Sequence, residues 1–384
     1  MHRRPTCQRG FEPHFVRQLD LEKGPTLELE AGLMVVSQGW ERVITQSHSV
    51  GQPHLVYMPE QDRLLLTANP DSQVIFSDDH GATWTEPRPM HTNVQGNPDA
   101  GDVRSVNYLG TGRLILGTHS TRWFSTDYGH TWGDPLPLPP EASDQPWNQW
   151  DPCLVDRDPR TGKVVRLAET GWNRAGGSWP QTPEQAFIRF SHDEGRTWQD
   201  QISVPQWYGF NEVALCRAPN GHIIAACRSH MPRWYGGRSD YFSGFGVSIS
   251  QDNGNTWSQV TMLYTYGRHH PCMVALDDGR IVMTYVVRLG YPGDIAGYAQ
   301  RGIEAVVSND NGVTWDVGHH FVLHKWSCSQ FRDAPQSTTT VALPNRQILT
   351  AYGAGYRTRR PDGEPYEDLE QAPHDIVLIR WQLP

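Results

Sequence analysis

Three acidic residues could carry acid–base chemistry, because each stands at the start of a predicted apolar strand. Asp102, Asp151 and Glu212 occur in the segments DAGDVRS, NQWDP and GFNEV. Two carboxyl groups in one narrow pocket can hold different protonation states, since each ionised group disfavours ionisation of the other. We predict Glu212 and Asp151 as a general acid and base pair, with Asp102 as the competing acid. The alternative for each is a loop cap or a plain salt bridge with an arginine.

Other strand ends supply cations, aromatic rings and an imidazole. His269 and His270 are adjacent on an apparent strand, so only one of them can face a central site. We predict His270 as a catalytic candidate, against the alternative of a hydrogen-bonded structural histidine. The predicted substrate-binding residues are Arg104, Arg228, Arg288, Gln336, Tyr356 and Trp172. Carboxylates, guanidinium groups and aromatic rings in one pocket suit a polar, acidic sugar.

A repeated turn motif indicates which elements position these residues. The pattern S-x-D-x-G-x-T-W occurs five times, at Ser77–Trp84, Ser125–Trp132, Ser191–Trp198, Ser250–Trp257 and Ser308–Trp315. In each copy the Asp can accept hydrogen bonds from turn amides, the Gly can take a positive φ, and the Trp can be buried between sheets. We name these turns the Asp boxes and predict that their aspartates are structural.

A second repeat consists of an apolar strand, a polar turn and another apolar strand. It occurs six times, from YMPEQDRLLLT to ALPNRQILTA. Six hairpins, five of them followed by an Asp box, predict an all-β protein: one six-bladed β-propeller domain over residues 1–384, with four-stranded antiparallel blades. The sixth unit has no box, so the N-terminal segment at about 30–48 is expected to supply its outer strand and close the ring.

Alternating strand directions place the hairpin turns and the Asp boxes on one face of the ring. The other face holds the starts of the inner strands and two long inserts, at 229–246 and 288–302. Irregular loops on a rigid scaffold are where function usually lies. We therefore expect the site on the face opposite the Asp boxes.

Composition excludes several classes of protein. The net charge of -9 argues against a nucleic-acid partner, and no apolar run is long enough to span a membrane. The start MHRRPTCQRGFEPHF has no apolar stretch of a signal peptide, so we expect a cytoplasmic location. We predict no cofactor and no metal, because neither metal-ligand spacing nor a nucleotide-binding glycine loop occurs. The six cysteines have no CxxC spacing, and pairing of Cys216 with Cys227 stays open.

With its Asp boxes, the chain resembles the sialidase superfamily of carbohydrate-active proteins over nearly its whole length. At the site, the resemblance rests on NEVALCRAPNGHIIAACR, where Glu212 and Arg228 match a Glu that opens an inner strand and an Arg that binds the substrate carboxylate. The resemblance also implies a second carboxylate-binding Arg, which is Arg288 or, as the alternative, Arg301.

Two departures from the sialidase pattern concern the mechanism. The Arg that precedes a Pro at the entry of the first blade is replaced, because this chain has Gly51 and Gln52 there. The Tyr nucleophile of sialidases is matched by Gln336, whose amide cannot act as a nucleophile. A retaining sialidase mechanism would then require Tyr352 or Tyr356 as a substitute.

Three functions remain open at the level of sequence. The first is a sialidase-like glycoside hydrolase acting on a terminal acidic sugar, with inversion favoured by the missing Tyr. The second is a polysaccharide lyase, in which an Arg neutralises a uronate carboxylate and a His or Tyr removes the adjacent proton. The third is a noncatalytic carbohydrate-binding propeller.

Overall fold

Most of the residues that the computed structural model describes lie in β-strands. The described residues are 27–30, 33–35, 40–45, 52–68, 73–90, 103–174, 183–229, 243–288, 300–327, 337–356 and 374–384. The strands are β1 (Leu27–Glu30), β2 (Leu33–Val35), β3 (Trp40–Thr45), β4 (Pro53–Met58), β5 (Arg63–Ala68), β6 (Gln73–Ser77), β7 (Arg88–Pro89), β8 (Ser105–Gly110), β9 (Arg113–Gly117), β10 (Thr121–Ser125), β11 (Gly133–Pro137), β12 (Leu154–Arg157), β13 (Val164–Arg174), β14 (Glu184–Ser191), β15 (Gln199–Tyr208), β16 (Phe210–Arg217), β17 (Ile223–Ser229), β18 (Phe245–Ser250), β19 (Thr261–Tyr264), β20 (Arg268–Ala275), β21 (Ile281–Val287), β22 (Gln300–Ser308), β23 (His320–Ser327), β24 (Thr338–Ala342), β25 (Gln347–Tyr356) and β26 (His374–Gln382). Short 3₁₀ turns lie at Pro59–Gln61, Val317–His319 and Pro344–Arg346.

These strands form six sheets, each of which is one blade. The first four blades are β4 to β7, β8 to β11, β12 to β15 and β16 to β19. The fifth contains β20 to β23, and the sixth contains β24, β25, β26 and β3. The four strands of every blade pair antiparallel, which confirms the predicted all-β, six-bladed propeller.

The N-terminal strands divide between two blades. Strand β3 pairs with β26 and is the fourth strand of the sixth blade. Strand β2 instead pairs in parallel with β23, and β1 pairs with β2 at the edge of the sheet. The fifth sheet therefore has six strands. The segment expected to close the ring therefore supplies strands to the fifth and sixth blades. The assignment of residues 1–384 to one domain stays a prediction.

Apolar side chains of each strand pack against both neighbouring blades. In β5, Leu64 and Leu66 belong to a cluster shared with the sixth blade, whereas Leu65 belongs to a cluster shared with the second. Successive strand residues point to opposite faces of a sheet, so a continuous apolar run is buried on both sides. Each fully buried leucine stabilises the fold by about 2 kcal/mol.

The Asp boxes share one hydrogen-bonding pattern. In the fourth box, Asp252 accepts hydrogen bonds from the amide and the hydroxyl of Thr256, at 2.8 and 2.6 Å. Ser250 accepts one from the amide of Gly254, whose φ of +95° suits only glycine without strain. The indole of Trp257 donates to the Gly254 carbonyl. The same bonds recur in the other four boxes, which supports the structural role expected for their aspartates.

The described cysteines Cys153, Cys216, Cys227 and Cys272 are unpaired thiols. Cys227 lies opposite Val213 in the hairpin of the fourth blade, and Cys216 is three residues from Val213. An odd separation places the two thiols on opposite faces of the sheet. Cys216 packs toward the fifth blade and Cys227 toward the third, so the hairpin register keeps them apart.

Replacing Asp252 with Ala is expected to lower the free energy of unfolding by about 1 kcal/mol, because turn amides lose their acceptor. The pKa of Asp252 is lowered from 3.8 to about 2, first by the Thr256 hydroxyl and then by its amide. The stability difference should therefore be present above pH 4 and shrink as the pH falls toward 2. Urea denaturation across this pH range measures it. Asp277→Ala, at an exposed turn residue, is the control, and equal loss in both variants would contradict the structural role of the box.

Candidate active site

A cavity of about 640 Å³ lies on the axis of the propeller. The inner strands of all six blades line it: β4, β8, β12, β16, β20 and β24. Its size is within the range of small-molecule sites. We call the end beside the hairpin turns the lower end, and the end where the inner strands begin the upper end.

At the lower end, charged groups are used to join neighbouring blades. Glu60 accepts hydrogen bonds from the Tyr108 hydroxyl and from the Thr111 amide, at 2.5 and 3.1 Å. Arg157 donates to the carbonyls of Leu109 and Tyr108, at 2.7 and 2.9 Å. Because these contacts satisfy the two charged groups, the lower end is a structural joint.

The upper end presents polar atoms without partners. The Asp151 Oδ2, His270 Nε2 and Ser337 Oγ atoms are buried and have no hydrogen-bond partner among the described residues. All three residues line the cavity. Buried polar atoms are normally satisfied by protein or water, so three such atoms at one place indicate a site for a polar ligand.

Asp151 lies beside an ion pair. Arg228 Nη1 donates to Glu212 Oε1 at 2.6 Å, and both side chains are only 12–13% exposed. Burial raises the pKa of Asp151 well above its usual value, and the Glu212 carboxylate raises it further, against the opposing effect of Arg228. The protonated form of Asp151 is therefore favoured beside the carboxylate that Arg228 pairs. A carboxyl group with a raised pKa next to a second carboxyl group is an arrangement found in acid–base sites.

Glu212 owes its position to an irregularity in its strand. In the β16–β17 ladder, Asn211 pairs with Arg228 and Val213 pairs with Cys227. Glu212 is therefore the extra residue of a β-bulge. Its φ is +41°, in the left-handed region that non-glycine residues rarely occupy. The bulge brings the Glu212 carboxylate to the guanidinium group on the neighbouring strand. Backbone strain of this kind is typical of functional sites.

His270 occupies a matching irregularity in the next blade. It lies in a register shift between His269 and Cys272 and has a φ of +53°. Its Nδ1 accepts a hydrogen bond from the Thr338 amide, at 3.4 Å, so the proton is assigned to Nε2. Burial lowers the pKa of His270 to about 3, with further lowering by the charge of Arg228. The imidazole is thus a neutral donor directed at the cavity.

Two further arginines, Arg104 and Arg288, act on the wall of the cavity. Arg104 lies with its guanidinium carbon 4.1 Å from the centre of the Trp150 ring, and both residues line the cavity. The charge of Arg288, which is buried, acts on His270 together with that of Arg228. Stacking on an indole is a cation–π contact that orients the guanidinium group.

The remaining predicted residues lie in different places. Trp172 is half-buried and packs against the cluster between the third and fourth blades. Like Glu212, Arg228 and Arg288, it is not among the residues that line the cavity. Tyr356 is the last residue of β25 and pairs with His374 of β26. Asp102 and Gln336 lie outside the described residues. Sequence reasoning missed Ser337, although it stands next to Gln336.

A second ionised cluster is buried outside the cavity, between the second and third blades. Arg189 donates to one oxygen of Glu169, at 2.7 Å, and Arg122 donates to the other. The Trp147 ring covers Arg189 at 3.9 Å. These side chains are almost fully buried and serve packing between blades.

The described residues contain neither a metal-binding cluster nor a membrane-spanning helix. Their His, Cys, Asp and Glu side chains form no group of three or more that could hold a metal ion. None of their helices has the length and apolar character needed to cross a membrane.

The family model described as BNR repeat-like domain matches residues 105–332, more than half of the chain. No curated protein has a significantly similar sequence. Among solved structures, a protein of unknown function from Dyadobacter fermentans is 16% identical, with a TM-score of 0.58 over 88% of this chain and 98% of that one.

Two glycan-degrading enzymes also have similar structures. The NanB sialidase from Streptococcus pneumoniae is 12% identical, with a TM-score of 0.55 over 88% of this chain and 69% of that one. The α-L-arabinanase from Penicillium chrysogenum is 14% identical, with a TM-score of 0.50 over 85% and 92%. At these identities the likeness concerns the fold, and it confirms the sialidase-like propeller.

Replacing Glu212 with Gln is expected to lower the pKa of Asp151, because a neighbouring negative charge is removed while burial stays the same. A titration of aspartate side-chain carboxyl carbons by NMR measures the shift. Glu60→Gln, at the opposite end of the cavity, is the matched control and should leave the pKa of Asp151 in place. An unchanged pKa in the Glu212→Gln variant would show that the two carboxyl groups do not interact.

Proposed function

We propose that this chain, which belongs to the BNR repeat-like domain family, is a glycoside hydrolase that removes a terminal acidic sugar from a glycan or glycoconjugate. One observation carries the proposal: Asp151 is buried in the wall of the axial cavity, and burial and the neighbouring Glu212 carboxylate both raise its pKa. The similarity to sialidases and an arabinanase supports the scaffold for such chemistry. The choice of reaction rests on the site itself.

The protonation states suggest a role for each carboxyl group. Asp151, whose raised pKa favours the protonated form, donates its proton to the glycosidic oxygen as the bond to the leaving group breaks. Glu212 is kept ionised by Arg228 and accepts a proton from the water that attacks the sugar. This arrangement gives inversion, because no covalent bond to the protein forms. It also agrees with Gln336 at the place of the sialidase Tyr.

Arginines at the upper end account for an acidic substrate. Arg104 stacks on Trp150 in the cavity wall, and the charge of Arg288 acts on His270 in the same wall. A guanidinium group binds a carboxylate through two parallel hydrogen bonds, which also fixes the orientation of the sugar. We therefore assign Arg104 and Arg288 to binding of the substrate carboxylate. Arg228 instead pairs with Glu212 and favours its ionised form.

The protonation state of His270 argues against the lyase alternative. A lyase needs a base that removes a proton next to the uronate carboxylate. With a pKa of about 3 and a proton on Nε2, His270 is a poor base at neutral pH. The proton on Nε2 fits His270 for a role as hydrogen-bond donor to a sugar hydroxyl.

Hydrolysis of a panel of aryl glycosides, including sialic acid and uronic acid derivatives, tests the proposal. We expect release of the aryl group from an acidic glycoside, and a fall in kcat of about 100-fold or more in Asp151→Asn and in Glu212→Gln. Glu60→Gln serves as the control for activity, and circular dichroism verifies folding.

Other results would point to the other functions. An unsaturated product that absorbs in the ultraviolet would indicate a lyase. Glycan binding without turnover in the wild-type protein would indicate a noncatalytic binding propeller and contradict the proposal.

A further inference from the structure

Two tyrosines stand out on the upper face of the propeller. Tyr208 is 55% exposed and Tyr266 is 36% exposed, whereas most large hydrophobic side chains in the described ranges are covered. Tyr208 ends β15, the fourth strand of the third blade, and Tyr266 follows β19, the fourth strand of the fourth blade. Fourth strands end on the face where inner strands begin, so both rings lie on the face of the proposed active site.

A short repeat links each of these tyrosines to a residue of that site. The sequence Tyr-Gly-x-x precedes Glu212 at Tyr208 and precedes His270 at Tyr266. The glycines have φ values of +85° and +71°, and the fourth residue after each Tyr has a positive φ as well. Four residues span at most about 14 Å, so each ring is within reach of a ligand that extends out of the cavity.

Buried aromatic neighbours hold the two segments in place. Trp207, adjacent to Tyr208, is fully buried and packs on Trp257 at 4.6 Å between ring centres. Tyr264, two residues before Tyr266, forms a hydroxyl–hydroxyl hydrogen bond of 2.7 Å with Tyr285. Each exposed ring therefore projects from an anchored segment, which lowers the entropy lost when a ligand binds.

We propose that Tyr208 and Tyr266 form an aromatic rim that binds the sugar units next to the terminal one. This inference rests on the proposed function and adds that the natural substrate is an oligosaccharide or polysaccharide chain, not a small glycoside. A tyrosine offers a flat apolar face with a polar tip and loses little conformational entropy on contact. The ring face matches the C–H face of a sugar, and the hydroxyl can bond to sugar hydroxyl groups.

The small size of the rim favours a glycan over a protein partner. A stable protein interface buries about 800 Å² on each side, far more than two separate rings supply. A sugar chain leaving the cavity needs only a few stacking contacts, and the rim is continuous in sequence with Glu212 and His270. The geometry thus suits a narrow, extended ligand.

Affinity gel electrophoresis tests the rim directly, with polygalacturonate, hyaluronan and polysialic acid as the probes in the gel. We expect at least one of them to retard the full-length protein. Tyr208→Ala with Tyr266→Ala should abolish that retardation, and the corresponding Phe variants should retain most of it, since the ring face is kept. Val313→Ala, at a residue 64% exposed in an Asp box on the opposite face, is the matched control.

Kinetics give a second readout. The ratio of kcat/KM for an oligosaccharide to that for the aryl glycoside of the same sugar should fall about tenfold for each ring removed. Retardation that is equal in the wild-type and double-Ala proteins, or absent with every probe, would overturn the rim. Tyrosine-dependent retardation without hydrolysis would support the rim and contradict the proposed hydrolase activity. Hydrolysis without retardation would support the activity and contradict the rim.

Discussion

The guanidinium group of Arg228 is the charge on which the upper end of the cavity depends. It forms an ion pair with Glu212 at 2.6 Å, opposes the rise in the pKa of Asp151, and contributes to the low pKa of His270. One cation thus acts on three neighbouring titratable groups in different ways. Arg228 lies in β17, the second strand of the four-stranded fourth blade.

Packing in the rest of the propeller offsets the backbone strain at Glu212 and His270. Left-handed backbone at Glu212 and His270 costs about 1 to 3 kcal/mol at each residue. Apolar clusters between neighbouring blades offset this cost, and the lower end of the cavity joins blades through Glu60 and Arg157. The two ends of one cavity therefore differ in purpose. Charged groups join blades at the lower end, whereas buried polar atoms of Asp151, His270 and Ser337 line the upper end.

Much of the fold could be predicted from the sequence because its determinants are local and repeated. Each Asp box contains its own hydrogen-bond partners within eight residues, and each apolar hairpin fixes its own register. The proximity of Glu212 and Arg228 follows from such a hairpin. By contrast, the pairing of β2 with β23 joins segments far apart in sequence, and no local pattern indicates it.

The chemistry of the site was less predictable, because it depends on burial and on strand irregularities. The bulges at Glu212 and His270 leave no clear signal except the Tyr-Gly pair that precedes each, which becomes informative only when the structure shows the positive φ values. Trp172 belongs to a half-buried aromatic contact that sequence cannot tell apart from a sugar-binding ring. Burial of Asp151, which raises its pKa, is set by the whole ring of inner strands.

A crystal structure of the Glu212→Gln variant, soaked with an acidic glycoside that the wild-type protein hydrolyses, tests the central claim most directly. Our account predicts the terminal sugar in the upper end of the axial cavity, with the glycosidic oxygen about 3 Å from the Asp151 carboxyl group. It also predicts the sugar carboxylate at Arg104 or Arg288. A sugar bound elsewhere on the propeller, or oriented with its glycosidic oxygen away from Asp151, would contradict the account.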